Sequence, residues 1–253
     1  MREDHGRILI LGGTGEAMKL AAALAARPDL PALLSFAGRT KTPLLPSIPS
    51  RIGGFGGVDG LAAYLRQMRT PLVIDATHPF AAQMSRNAAE ACARLDVPRL
   101  TFTRKPWTPA PDDRWIEVPD IEAAVDALGE KPAHVFLTVG RLSLGAFKRA
   151  QQHTYVARSI DRPEPSELPP QCRVLLARPP FTLADERALM QAERFDFLCT
   201  KNSGGAATEN KLLAARALGL RVIMVNRPQA PEGETLFELG EVLDWINAHR
   251  PPP

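Results

Sequence analysis

The 253-residue chain lacks several things that would settle its class at once. It has no run of about 18 apolar residues, the length a membrane helix needs, so no membrane span is expected. Its three cysteines, Cys92, Cys172 and Cys199, lie far apart and form no C-x-x-C pair. That spacing argues against a disulfide framework and a cysteine zinc site, and fits a reduced, cytoplasmic protein with no metal. Ahead of Ile8 the residues MREDHGR hold acidic side chains and no apolar stretch, so no signal peptide is expected. The charge excess is small, a formal +3. No basic block and no interleaving of basic and aromatic residues appears, which argues against a nucleic-acid partner. An anionic small molecule suits the mild excess better. No tandem repeat is evident.

What is present begins with Arg7 to Ala17, RILILGGTGEA. Ile8 to Leu11 is an apolar run short enough for a strand buried on both faces. Gly12, Gly13 and Gly15 follow, and from Glu16 apolar residues recur at helical spacing (Ala17, Leu20, Ala21, Leu24). Strand, glycine turn with Thr14, and helix together make a phosphate site, because the helix start offers unpaired N–H groups and a positive dipole end. The dinucleotide fingerprint G-x-G-x-x-G is incomplete, since Met18 holds the third glycine position. A tight turn with no ligand is the plain alternative. Leu33 to Ala37 reads as the next strand and ends at Gly38-Arg39-Thr40-Lys41. A carboxylate there would hold ribose hydroxyls; basic residues suit a 2′-phosphate, which points to NADP over NAD, with a solvated basic loop as the plain alternative.

Further along, Leu72 to Ala76 is a buried strand running into Thr77-His78-Pro79-Phe80. His78 stands at the carboxyl end of a parallel strand, where open α/β sheets bind ligands. The alternative is that Asp75, Thr77 and His78 only shape the loop and cap the next helix. After Leu100 to Phe102 come Arg104 and Lys105, beside Trp107, facing a flat anionic ligand or merely solvent. A second α/β series follows. Its Phe195 to Thr200 segment leads into Lys201-Asn202-Ser203-Gly204-Gly205 and then a helix. This is a carboxylate or phosphate cradle with one point charge, with an ordinary capped helix start as the plain alternative, and its order rules out a Walker A loop. Strands alternating with helices predict an α/β fold with two parallel sheets. We place the two domains at 1–130 and 131–253, with the ligand cleft between them.

The landmarks GGTGEA at 12–17, GR at 38–39, GGFGG at 53–57, DATHPFA at 75–81, TVG at 138–140, KNSGG at 201–205 and NRP at 226–228 run in order across nearly the whole chain. This ordered set resembles the precorrin-6A reductase family of cobalamin biosynthesis. The resemblance implies two Rossmann-like domains, NADPH as cofactor, and reduction of one macrocycle double bond of precorrin-6A, or of its cobalt-containing counterpart, to the 6B form. It maps the nucleotide turn onto Gly12, Gly13, Thr14 and Gly15, with Glu16 opening the helix, and the phosphate-selecting base onto Arg39 beside Thr40 and Lys41. It maps the substrate turn onto Lys201, Asn202, Ser203, Gly204 and Gly205, facing the cleft. The polyanionic tetrapyrrole also calls for scattered cations such as Arg104. His78 and Lys201 are the candidates for supplying a proton or offsetting charge, with water as the rival. A reductase of another anionic small molecule, and a non-catalytic NADP(H) sensor, are the alternatives. A monomer is favoured.

Overall fold

The computed structural model describes residues 6–38 and 46–250. Strand β1 (Ile8–Leu11) is buried throughout. Ile8 and Ile10 join one apolar cluster, Leu9 and Leu11 another. Period-two geometry requires this of a strand with helices on both faces. Helix α1 (Gly15–Ala25), β2 (Ala32–Phe36), β3 (Ser50–Ile52), α2 (Gly57–Met68), β4 (Val73–Asp75), α3 (Ala82–Leu95) and β5 (Arg99–Phe102) follow. Next come β6 (Trp115–Val118), α4 (Ile121–Asp126), β7 (His134–Thr138), β8 (Thr154–Ser159), β9 (Cys172–Leu176), α5 (Leu183–Glu193), β10 (Phe197–Lys201), α6 (Asn210–Ala217), β11 (Arg221–Val225), β12 (Thr235–Leu236) and α7 (Leu239–His249). No helix among the described residues is long and apolar enough to cross a membrane.

The strands form two six-stranded sheets, in the orders β12-β5-β4-β1-β2-β3 and β6-β11-β10-β7-β8-β9. Every pairing among the described residues is parallel. The α/β fold with parallel sheets is thus present. Counted from β7, the second sheet repeats the 3-2-1-4-5 order of the first. The sixth strand differs: β12 comes from late in the chain, β6 from just before β7.

Two compact units result, one made of the chain up to Lys105 and again from Gln229, the other of Pro106–Pro228. This differs from the expected boundary between 130 and 131 in two places. Strand β6 pairs with β11, so 115–118 belongs to the second sheet. Strand β12 pairs with β5, and Val242, Trp245 and Ile246 of α7 fill the cluster of Ile10, Leu20 and Leu34. The second unit is therefore an insertion between the fifth and sixth strands of the first. Its core packs Phe136, Val156, Leu198 and Met224 against Met190 of α5 and Leu212 of α6.

Candidate functional site

In each sheet the strand order reverses beside the first strand of its series, between β1 and β4 in one unit and β7 and β10 in the other. Open α/β sheets bind ligands at the carboxyl ends of such strands.

In the first unit a Cβ added at Gly12 would meet Leu34 Cδ1 at 2.6 Å, so any larger residue there forces the buried Leu34 side chain to shift. Gly13 adopts φ +118°, a conformation that favours glycine. Among the described residues, a Cβ at Gly13 or Gly15 meets nothing within 4 Å, so those residues leave the space over the turn open. Thr14 caps α1: its Oγ1 accepts from Ala17 N at 3.2 Å and donates to the Ala76 carbonyl at 2.7 Å. That second bond ties the glycine turn to the end of β4 across the reversal point. Glu16 pairs with Arg104 at 2.6 Å, both mostly shielded from solvent. An open glycine turn before a helix of 11 residues fits a dinucleotide pyrophosphate. Arg39, Thr40 and Lys41 lie outside the described residues.

At the end of β4, Asp75 is buried and its Oδ1 accepts from Thr77 N at 3.2 Å and Thr77 Oγ1 at 2.7 Å. These bonds shape the loop that carries His78, whose Nδ1 accepts from Phe80 N at 3.2 Å. The neutral imidazole then carries its proton on Nε2. The glycine stretch 53–57 is organised by Arg51, which donates to Ser35 Oγ and to the carbonyls of Gly53 and Gly54 and lies over the Phe55 ring.

In the second unit Lys201 ends β10, and its Nζ donates to Ser143 Oγ at 2.7 Å. Ser143 lies in the 3-10 turns Arg141–Arg149 that follow β7. Asn202 is buried and clamps Trp107: Oδ1 accepts from Trp107 N at 2.8 Å and Nδ2 donates to its carbonyl at 2.9 Å. Both polar groups of its amide are thereby engaged by the protein. Arg227 donates to the carbonyls of Asn202 and Ser203 at 2.8 and 2.9 Å and holds the turn in shape. Gly204 and Gly205 both take positive φ, +69° and +82°. Burial pushes the neighbouring Cys199 thiol up to about 12, and Cys92 likewise, which removes both as nucleophiles near neutrality.

The structure thus gathers Gly12 to Glu16 with Arg104 in one unit, and Lys201 to Gly205 in the other. Sequence reading missed Ser143, which carries no motif. It also missed the Trp107 clamp and the pairing of Arg104 with Glu16, whose partners lie 95 and 88 positions apart.

Comparison with known proteins adds an independent line. The model of the family described as "Precorrin-6x reductase CbiJ/CobK" matches residues 7–247. The chain is 47% identical over 247 residues to a precorrin-6A reductase of Rhodobacter capsulatus, covering 98% of each protein. It is 28% identical to a cobalt-precorrin-6A reductase of Priestia megaterium, covering 93% of this chain and 96% of that protein. A solved structure titled "CobK precorrin-6A reductase" superposes with a TM-score of 0.90 at 48% identity, covering 96% of both chains.

Proposed function

The chain belongs to the precorrin-6x reductase family, and we propose that it reduces cobalt-free precorrin-6A with NADPH bound at the β1–α1 turn. It is an oxidoreductase of cobalamin biosynthesis. NADPH, when bound, supplies a hydride to one carbon of a conjugated C=C–N system, and a proton goes to the neighbouring atom. In this reading Gly12, Gly13 and Gly15 let the pyrophosphate approach the backbone, and the start of α1 meets its charge. Thr14, with its hydroxyl engaged on both sides, holds the turn still. Arg39, flanked by Thr40 and Lys41, takes the 2′-phosphate. The Glu16–Arg104 pair flanks the helix start; Arg104 is the substrate-binding cation of the first unit.

For the acceptor, Lys201 offsets carboxylate charge, with Ser203, Gly204 and Gly205 forming the backbone of the same turn and Asn202 securing it. Of the two candidates for the proton, His78 would donate from Nε2 only as the imidazolium, which requires Nδ1 to give up its bond from Phe80 N, and Lys201 is the other, with water as their rival. The cobalt-free substrate is favoured because the relatives named precorrin-6A reductase stand at 44–47% identity and those named cobalt-precorrin-6A reductase at 28–29%. Free cysteines suit work in the cytoplasm, and we propose a monomer. The single observation that carries the NADPH reading is the open glycine turn at the start of α1, tied by Thr14 to β4.

Titration with NADPH and NADH tests the cofactor. NADPH is expected to bind at least about tenfold more tightly, about 1.4 kcal/mol, and Arg39→Ala to narrow the gap. Equal affinity of the unaltered protein for both overturns the assignment.

A further inference from the structure

Lys201 stands at the carboxyl edge of the second sheet. The amino edge, at the other end of the same strands, carries a cavity of about 360 Å³. Strands β6, β11 and β10 are parallel neighbours, so the segments that lead into them come together there. Arg114 precedes β6, Arg221 opens β11, and Arg194 follows α5 on the way to β10. All three are exposed and line the cavity. Its apolar lining includes Phe195, Leu218 and Leu220, the first and last of them buried.

Elsewhere in this unit arginines have carboxylate partners. Arg216 of α6 pairs with Asp113 at 2.9 Å, and Arg173 of β9 with Glu193 of α5. Among the described residues Arg114, Arg194 and Arg221 form no ion pair. Arg114 Nη1 donates to the Gly219 carbonyl at 3.0 Å, and the Arg221 guanidinium lies 4.0 Å from the centre of the Phe197 ring. These contacts hold two of the groups in place without neutralising them. Asp196, the one carboxylate of the lining among the described residues, accepts from His134 N at 2.8 Å through Oδ2. Helices α5 and α6 also end at the cavity, each with roughly half a negative charge. These two ends and Asp196 offset about two of the three positive charges, and about one is left over.

We propose that this cavity is a second ligand site, for a compact organic anion. Arg114, Arg194 and Arg221 hold its acid group, because a guanidinium meets a carboxylate or a phosphate with two parallel N–H donors. Phe195, Leu218 and Leu220 pack against its apolar body. Small-molecule pockets run from about 300 to 1,000 Å³. At about 360 Å³ this one suits a single ring with its acid group, and is too small for a dinucleotide or a four-ring macrocycle. The site is therefore separate from the reduction, and it stands whatever the reductant proves to be.

Benzoate, phenyl phosphate and inorganic phosphate are the probes, titrated into the full-length protein by NMR with the backbone amides of Asp196 and Gly219 as reporters. The better of the two organic anions is expected to saturate those amides with a Kd at least about tenfold below that of inorganic phosphate. Which of them is better assigns the site to a carboxylate or to a phosphate. Benzamide, the same ring without the charge, is expected to bind at least about tenfold more weakly. Arg194→Gln with Arg221→Gln is expected to weaken the better probe about tenfold, with Tm little changed because both side chains are exposed. Gln191→Glu supplies a carboxylate to the arginines from an exposed position on the lining, and is expected to weaken it likewise. Arg86→Gln, exposed on α3 of the first unit, is the control and is expected to change nothing. Reporter amides that do not move overturn the proposal, as does an affinity that survives both the double variant and Gln191→Glu. Inorganic phosphate bound as tightly as the organic anions also overturns it, and reduces the cavity to an adventitious patch of charge.

Discussion

The two units share a strand order and differ in how they bridge its reversal point. In the first, a glycine turn leads straight into an α-helix, and a neutral hydroxyl, Thr14 Oγ1, reaches the Ala76 carbonyl. In the second, the chain after β7 makes 3-10 turns through Arg141–Arg149, and an ammonium, Lys201 Nζ, reaches Ser143 Oγ. The first bridge leaves backbone N–H groups and a helix dipole to meet a ligand; the second puts forward a side-chain charge. On the proposed function, one scaffold thus offers two kinds of anion recognition, a diffuse one suited to pyrophosphate and a pointed one suited to separate carboxylates. Fold alone does not make that distinction; the residues at four strand ends do.

The contrast is open to attack, and the largest effect is expected in the second unit. Asn202→Leu strands the buried backbone N–H and C=O of Trp107 and should cost about 2–4 kcal/mol of stability, read as a fall in Tm or denaturant midpoint. A change below 0.5 kcal/mol (on the order of measurement scatter) would show that Asn202 is not a clamp. In the first unit, Thr14→Val removes a helix cap worth about 1 kcal/mol together with the tie to Ala76. It should weaken NADPH binding about tenfold, about 1.4 kcal/mol, and leave KM for the macrocycle unchanged once NADPH saturates. Smallest in stability is Ser143→Ala, a partly exposed site, with a shift within about 0.5 kcal/mol. Its expected signature is a several-fold rise in KM for precorrin-6A at unchanged NADPH affinity. If Thr14→Val moved only the macrocycle and Ser143→Ala only the nucleotide, the division of labour between the units would be reversed.

Much of this was legible in the sequence because it is local. An apolar run, three glycines and a helical period specify β1, its turn and α1 without help from elsewhere. The strand–helix alternation likewise announces parallel sheets. What escaped was the long-range part. Nothing in Thr235–Leu236 says that so short a segment completes the first sheet beside β5, because edge pairing is chosen by the partner strand. Arg104 reads as a free cation until α1 is folded next to it with Glu16. Asn202 reads as a ligand-binding amide until Trp107 is found holding both of its polar groups. In each case the residue type was informative and its partner was not.

The insertion has a consequence for synthesis. Pro106–Pro228 is one continuous stretch, so the second unit has every strand of its sheet as soon as it leaves the ribosome. The first unit does not. Its first five strands emerge early, but β12 and the α7 side chains Val242, Trp245 and Ile246 that seal its core are made only after the whole inserted unit. Until then one face of the first unit waits with its apolar surface uncovered, the condition in which nascent chains recruit chaperones or aggregate. Substitutions that unseat Trp245 or Ile246 should therefore disable the half whose first five strands precede the insertion.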